Sequence, residues 1–359
     1  MTGRARDFGI APDSLPSGAF NAITDVPGVR VGQKTLVDGD NARTGVTVVW
    51  PHDGNPFRER VFAATDILNG YGIMTGRAVI AEWGLLGSPI VLCDTRAIGI
   101  GYEAVVQEFT EMDPAVGHLD VMMPVVAECD DGYLNDNRWR HVAIADVQEA
   151  MRTATSGPVA EGGVGAGTGT QLFSFKGGIG TASRVVEIYG RQYTVGVILN
   201  TNFGVRSQLQ VRGVPLGRMI TDLMPGYEKE GSCIAVLATD APLDPLQLKR
   251  LAKRIGFGLV RTGSVGNDGS GEIFIAFSTA HRIPREVAAP LAVERLVDGQ
   301  FWTLGAPIDV LFEAAAEASE EAVLNALVAA KTTIGRDGHV LHGFPVERAL
   351  ALMRSYQRG

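Results

Sequence analysis

Short apolar runs alternate along the chain with polar, glycine-rich loops. Runs of this length are typical of buried β-strands. Successive side chains of a strand point to opposite faces of its sheet, and in these runs both faces are apolar. We therefore expect helices to cover the sheets that these strands form. The runs are residues 46–50, 88–93, 193–199, 233–238 and 273–277.

Helical patterns lie between these predicted strands. Residues 75–86 predict one helix, and residues 317–331, rich in Ala, Glu and Leu, predict another. A third helix is predicted to begin at Pro245, with Asp244 as its N-cap, and to continue to about Arg261. Its apolar stripe has helical spacing and consists of Leu248, Leu251, Ala252, Ile255 and Leu259. Strands mixed with helices indicate a layered α/β or α+β body.

The composition allows a large buried core and disfavours several classes of protein. Of 359 residues, 45% are hydrophobic and 20% are charged, which disfavours disorder. The net charge of −8 disfavours nucleic acid and anionic membranes as main partners. No apolar run approaches the roughly 18 residues that a membrane span needs, and no signal peptide is recognisable. Three widely spaced cysteines without a CxxC pair favour a reducing compartment, so we expect a cytoplasmic protein.

Conventional catalytic motifs are missing from the sequence. The six histidines form neither HExxH nor HxH, and His339 with His342 is a weak metal-binding pattern. No GxSxG motif occurs at a strand-to-helix turn. Residues 163–169 (GVGAGTG) superficially resemble a dinucleotide loop, but no strand precedes them. We interpret them as turns that let backbones pack closely, and a non-catalytic nucleotide-binding protein is the rival hypothesis.

The junction between Gly231 and Ser232 offers a different chemistry. A polar loop, residues 223–231, runs directly into the apolar strand that begins at Ser232. If the chain were cut at this junction, Ser232 would gain a free α-amine, whose reference pKa is about 7.7–8.0. One residue could then supply both a nucleophile and its general base, without a histidine.

Two further residues are expected to lie near Ser232. The predicted strand–helix–strand unit after Ser232 makes its two strands parallel, so both strands start at the same edge of the sheet. Ser270 and Glu272 stand at the start of the second strand. Their alternate spacing places both side chains on one face, where they could orient the α-amine of Ser232.

At these residues the chain resembles the self-cleaving aminopeptidases that include the L-aminopeptidase/D-amino-acid esterase and the β-peptidyl aminopeptidases. The similarity covers nearly the whole chain and is far more specific than any single motif. Its segments are residues 22–32, 43–46, 68–76, 128–136, 163–169, 176–184, 201–204, 231–242, 268–272 and 335–339.

The resemblance implies a four-layer αββα sandwich with an N-terminal-nucleophile-like architecture. It implies a single self-processing domain, 1–359, that is cut into an α chain, 1–231, and a β chain, 232–359. It makes Ser232 the nucleophile, gives Ser270 and Glu272 supporting roles, and makes Asn202 the oxyanion-stabilising amide. Either Tyr133 or Glu128 would contact the substrate, and the sequence does not decide between them.

The implied activity is hydrolysis of the N-terminal residue from peptides, amino-acid amides or esters, through an acyl-enzyme on Ser232. The resemblance implies no metal, no cofactor and a homotetramer of processed units. The sequence leaves α-L, D and β-amino-acid derivatives open as substrates. The nearest alternative function is an acyl transferase of the ornithine acetyltransferase type, although those enzymes use a threonine nucleophile.

Overall fold

A computed structural model describes residues 3–228, 231–299 and 305–356 of the chain. Its helices in these ranges are α1 (Arg77–Trp83), α2 (Ile98–Met112), α3 (Ile144–Arg152), α4 (Leu216–Met219), α5 (Pro245–Arg261), α6 (Pro307–Ala329) and α7 (Val346–Tyr356). Its strands are β1 (Arg30–Asp38), β2 (Ala42–Trp50), β3 (Glu59–Gly70), β4 (Leu85–Leu86), β5 (Ile90–Cys93), β6 (Val125–Glu128), β7 (Gln171–Leu172), β8 (Phe175–Lys176), β9 (Gly178–Ile188), β10 (Arg191–Asn202), β11 (Ser232–Thr239), β12 (Gly271–Pro284), β13 (Thr333–Ile334) and β14 (Val340–Leu341).

Two β-sheets stack face to face at the centre of the fold. One sheet has four strands in the order β1-β2-β5-β6, and the other has six strands in the order β4-β3-β12-β11-β10-β9. Their facing sides share one apolar core, to which the first sheet contributes Val49 and Leu92 and the second contributes Ile198, Val236 and Ile275. Burial of these side chains holds the two sheets together.

Helices cover the outer faces of both sheets. Helices α2 and α3 pack on the four-stranded sheet, where Phe109 and Met151 enter a second apolar core. Helices α5 and α6 pack on the six-stranded sheet, where Leu251 and Leu324 enter a third. The layers follow the order helix, sheet, sheet, helix, which confirms the predicted αββα sandwich.

The crossover around Ser232 also has the predicted form. Strand β11 connects through α5 to β12, and the two strands run parallel, with Ser232 beside Gly271. Helix α5 begins at Pro245, and the Asp244 carboxylate caps it by accepting a hydrogen bond of 2.8 Å from the Gln247 backbone N–H. The unit therefore brings the start of β11 next to residues 270–272.

Two predicted helices have different bounds in the structure. The helix predicted over residues 75–86 is shorter, because Gly84 adopts a left-handed φ of 67° and ends α1. The following Leu85–Leu86 segment pairs with β3 instead. Helix α6 begins earlier than predicted, at Pro307, because its first turns bury Ile308 and Leu311 in the third core.

No helix in the described ranges has the length and apolar character needed to cross a membrane.

A buried ion network attaches α6 to the six-stranded sheet. Arg184 of β9 is fully buried, and its guanidinium bonds to Glu317 at 2.8 Å and to Glu321 at 2.7 Å, both on α6. Arg6, from the chain preceding β1, bonds to Glu321 as well, at 2.9 Å. The network therefore joins a strand, a helix and the beginning of the described chain.

We predict that Arg184→Met lowers the free energy of unfolding by about 3 to 5 kcal/mol, because it leaves two buried carboxylates without their shared cation. Urea denaturation measures the change. Arg348→Met is the matched control, since Arg348 bonds to Asp222 on the surface and such a pair contributes less than about 1 kcal/mol. Equal losses in the two variants would contradict this role for Arg184.

Candidate active site

Ser232 lies at the start of a central strand and at the base of a cleft. It is the first residue of β11, opposite Asn202 of β10 and beside Gly271 of β12, and it is 4% exposed. The cleft has a volume of about 690 Å³. Its lining residues are Tyr71, Gly72, Ile73, Thr95, Arg96, Glu128, Asp130, Asn137, Gly231, Ser232 and Gly269. The serine therefore lines the inner end of the cleft, and its hydroxyl oxygen is itself buried.

The peptide group before Ser232 is packed closely on both sides. The Gly231 carbonyl accepts a hydrogen bond of 3.1 Å from the Gly271 backbone N–H. A Cβ at position 231 would overlap the Asn202 carbonyl oxygen, so a residue with a side chain would force the chain away from β10. Glycine is therefore required here by close approach.

Ser270 and Glu272 lie together, as the sequence predicted. The Ser270 hydroxyl donates a hydrogen bond to Oε1 of Glu272, and both side chains are buried. Oε2 of Glu272 has no hydrogen-bond partner among the described residues. Burial raises the pKa of Glu272, and the Ser270 hydroxyl opposes that rise. Because Gly271 between them bonds to Gly231, the pair stands next to the Gly231–Ser232 peptide.

The side-chain amide of Asn202 is held from two sides. Its Oδ1 accepts a hydrogen bond of 3.0 Å from the Gln171 backbone N–H, and its Nδ2 donates one of 2.8 Å to the Asp130 carbonyl. These partners fix which end of the amide is the nitrogen. The nitrogen also lies 3.0 Å from the position that a Cβ on Gly231 would take. Asn202 thus presents an N–H donor beside Ser232.

Glu128 places a carboxylate on the wall of the same cleft. Its Oε1 accepts from the Ile73 backbone N–H at 3.1 Å, and its Oε2 accepts from the Thr95 hydroxyl at 2.5 Å. Burial raises the pKa of Glu128, whereas these two hydrogen bonds lower it. A carboxylate fixed in this way can bind a cationic group that enters the cleft.

Tyr133 is placed differently from Glu128. Its ring stacks on His339 with a centroid distance of 4.7 Å and contacts Tyr227 edge-on at 5.0 Å. Its hydroxyl accepts a hydrogen bond of 2.8 Å from the Gly226 backbone N–H. Tyr133 is not among the residues that line the cleft, and its contacts are with Gly226, Tyr227 and His339. Of the two candidates from the sequence, the geometry favours Glu128 as the substrate contact.

His339 lies beside Tyr133, and two cysteines lie beside Ser232. His339 Nδ1 lies 2.8 Å from the Tyr133 carbonyl, and the described residues contain no set of three or more potential ligands arranged around a metal position. The thiols of Cys129 and Cys233, next to the site, are fully buried, and burial raises the pKa of each. A neutral buried thiol is a poor nucleophile.

The glycine-rich segment 163–169 packs inside the protein. It forms a short 3₁₀ turn, Gly165–Gly167, and a Cβ at Gly165 would overlap the Thr47 hydroxyl. A Cβ at Gly167 or at Gly169 would overlap the backbone of β9 or of Arg43. This supports our interpretation of the segment as closely packed turns.

Sequence reasoning missed part of the cleft wall. Thr95 and Arg96 follow the end of the buried strand β5, and Tyr71 follows β3. Their positions just after strands are the feature of the sequence that could have identified them as cleft residues. Asp130 lies in a segment that carried the family resemblance. The structure brings these residues together with Ser232, Asn202 and the other predicted site residues except Tyr133.

A sequence model of peptidase family S58 matches residues 21–341. The β-peptidyl aminopeptidase BapA of Sphingosinicella microcystinivorans is 41% identical, over 99% of this chain and 93% of its own length.

Solved structures agree with this match. The PH0078 protein from Pyrococcus horikoshii superposes with a TM-score of 0.93 at 42% identity, over 99% of both chains. The L-aminopeptidase D-Ala-esterase/amidase from Ochrobactrum anthropi superposes with a TM-score of 0.92 at 40% identity, also over 99% of both chains. The latter is described as a prototype of the serine aminopeptidases with a variant of the Ntn hydrolase fold.

Proposed function

Because the chain belongs to peptidase family S58, we propose that it is a serine aminopeptidase that activates itself. The chain is cut between Gly231 and Ser232, and Ser232 then acts as an N-terminal nucleophile on small peptides, amides or esters. The single observation that carries this proposal is the position of the Gly231–Ser232 peptide, which lies between Asn202 and Gly271 on the floor of the cleft.

Self-cleavage begins with attack of the Ser232 hydroxyl oxygen on the Gly231 carbonyl carbon. The Gly271 N–H bond to that carbonyl oxygen stabilises the negative charge that develops there. The C–O bond forms, the C–N bond breaks, and the Ser232 nitrogen gains a proton. Water then hydrolyses the resulting ester, which leaves a carboxylate on Gly231 and a free α-amine on Ser232.

In the mature enzyme the new α-amine acts as the general base. It accepts the proton of the Ser232 hydroxyl as the oxygen attacks the substrate, and it returns the proton to the leaving amine. One carboxylate oxygen of Glu272 has no hydrogen-bond partner in the part of the chain that the structure describes, and the α-ammonium is a suitable donor for it. Ser270 holds the other oxygen of Glu272 and so orients the pair.

Asn202 stabilises the oxyanion of each tetrahedral intermediate. One hydrogen on its nitrogen is used by the Asp130 carbonyl, and the second is available on the side of Gly231. An oxyanion donor of this kind contributes about 3 to 4 kcal/mol to transition-state stabilisation. Water then hydrolyses the acyl-enzyme and releases the amino acid.

Glu128 recognises the free amine of the substrate. A buried carboxylate in the cleft pairs with an ammonium group and would be left unpaired by an N-acetylated substrate. We propose that derivatives of α- and β-amino acids both belong to the substrate range of this protein, a proposal supported by relatives named as a β-peptidyl aminopeptidase and as an L-aminopeptidase D-Ala-esterase/amidase.

We predict that the purified protein consists of two chains, 1–231 and 232–359, and that Ser232→Ala remains one inactive chain, because it lacks the nucleophile for both reactions. Intact-mass spectrometry and hydrolysis of an amino-acid p-nitroanilide measure the two outcomes. Ser355→Ala, an exposed serine on α7, is the control and should be cut normally. A Ser232→Ala protein that is still cut and active would exclude the proposed mechanism.

We predict that Glu272→Gln moves the acidic limb of the kcat/KM profile to lower pH and lowers kcat. The carboxylate favours the protonated α-amine and so raises the amine pKa, and its removal lowers that pKa. The profile is recorded on cleaved enzyme, with the exposed Glu187→Gln as control. An acidic limb that stays in place would show that Glu272 does not interact with the amine.

We predict that Glu128→Gln raises KM for substrates with a free amine about 10- to 100-fold, because a charge-assisted hydrogen bond contributes about 1.5 to 3 kcal/mol. Paired peptides with free and acetylated N-termini measure the preference, which should shrink in the variant. Glu103→Gln on the exposed face of α2 is the control. Unchanged discrimination in Glu128→Gln would place amine recognition elsewhere.

A further inference from the structure

Lys176 is a buried cation that the proposed chemistry does not use. It lies at the end of β8 and has no exposed surface. Its Nζ donates hydrogen bonds to the carbonyls of Gly167 at 2.9 Å, Thr170 at 2.9 Å and Gly177 at 2.8 Å. All three of its protons are thus used by backbone oxygens. Burial lowers the pKa of Lys176 to about 7, so keeping this cation inside the protein has a cost that calls for a structural reason.

The glycine-rich segment 163–169 forms one side of the enclosure around this ammonium group. Gly167 supplies one carbonyl, and Thr170 continues the segment and supplies another. Gly163 lies against the end of the lysine side chain, since a Cβ there would stand 3.4 Å from Cε and 3.5 Å from Nζ of Lys176, in ordinary contact. The segment therefore encloses an internal cation with its carbonyls.

The residues around the Lys176 ammonium group are adjacent to the backbone N–H that binds the Asn202 side chain. Thr170 precedes Gln171, whose N–H holds Oδ1 of Asn202 at 3.0 Å. The Thr170 carbonyl is bound both by Lys176 Nζ and by the Gly177 N–H, at 2.9 and 3.1 Å. Gln171 is also the strand partner of Lys176 in the β7–β8 ribbon. The Lys176 ammonium group thus holds the Thr170 carbonyl next to the N–H that orients Asn202, and the ribbon backbone holds the same segment.

We propose that Lys176 is a positioning residue for the Asn202 side chain, and this rests on the proposed function of Asn202. Without the ammonium group, three buried carbonyls lose this donor; the Thr170 carbonyl keeps the Gly177 N–H and the Gly167 carbonyl keeps the Thr170 hydroxyl. Residues 167–171 are then held less tightly. The Gln171 N–H then no longer fixes the amide, and the second hydrogen of Asn202 no longer points at the developing oxyanion. A displacement of about 1 Å in such a group can lower the rate about 100-fold.

The test compares cleaved Lys176→Met and Lys176→Gln with wild type, each normalised by active-site titration. Met fills a similar volume without donors, and Gln keeps two of them. Lys249→Met, exposed on α5, is the control. The measurements are kcat and KM for an amino-acid p-nitroanilide, and inhibition constants for an α-aminoboronic acid and for the product amino acid. The tetrahedral boronate places an oxygen where the oxyanion forms.

We expect Lys176→Met to lower kcat about 10- to 100-fold, with KM within about twofold of wild type. The boronic acid should bind more weakly by a similar factor, whereas inhibition by the product should be unchanged. Lys176→Gln should lie between Met and wild type. A structural role alone would lower the yield or the melting temperature and leave kcat per active site and boronate affinity unchanged.

Two results would overturn the proposal, namely wild-type kcat per active site in Lys176→Met, or equal weakening of boronate and product binding. If Lys176→Met does not fold, the Gln variant decides the question with the same readouts. Failure of the proposed function is distinguishable, because wild-type protein would then be uncut or inactive. Active, cleaved wild type with unaffected lysine variants would reject only the role of Lys176.

Discussion

The position of Ser232 depends on one close contact, in which the chain at Gly231 passes against the backbone of Asn202 at the end of β10. A side chain at position 231 would overlap the Asn202 carbonyl, so only glycine lets β11 begin at this point. The same contact sets the register in which Ser232 faces Asn202 and lies beside Gly271. Strand pairing thereby places together the residues that we propose as nucleophile and oxyanion donor, and the peptide that we propose is cut.

Burial governs the electrostatics of the site and its surroundings. It raises the pKa of the carboxyl groups of Glu128 and Glu272 and lowers that of Lys176. Each charged form is stabilised by a small number of fixed donors or acceptors from the backbone and from neighbouring hydroxyls. Groups held in this way need little reorganisation when charge develops on a substrate, which is the main source of electrostatic catalysis.

The sequence predicted what depends on local pattern. The β11–α5–β12 crossover followed from apolar spacing and from the Asp244–Pro245 helix start, and it placed Ser270 with Glu272 beside Ser232. The sequence could not predict contacts between segments that are far apart along the chain. The hydrogen bond from Gln171 to Asn202 and the enclosure of Lys176 are of this kind, because they depend on how a short ribbon packs against the end of β10. For the same reason the sequence could not decide between Tyr133 and Glu128.

We propose above that Ser232, with a free α-amine, is the nucleophile. The most direct measurement is to treat the purified protein with a serine-reactive aminoalkyl phosphonate and to map the adduct by peptide mass spectrometry. We expect one adduct, on the hydroxyl of Ser232, in a peptide whose N-terminus is Ser232 itself. An adduct on another residue, or on Ser232 within an uncut chain that is fully active, would contradict it.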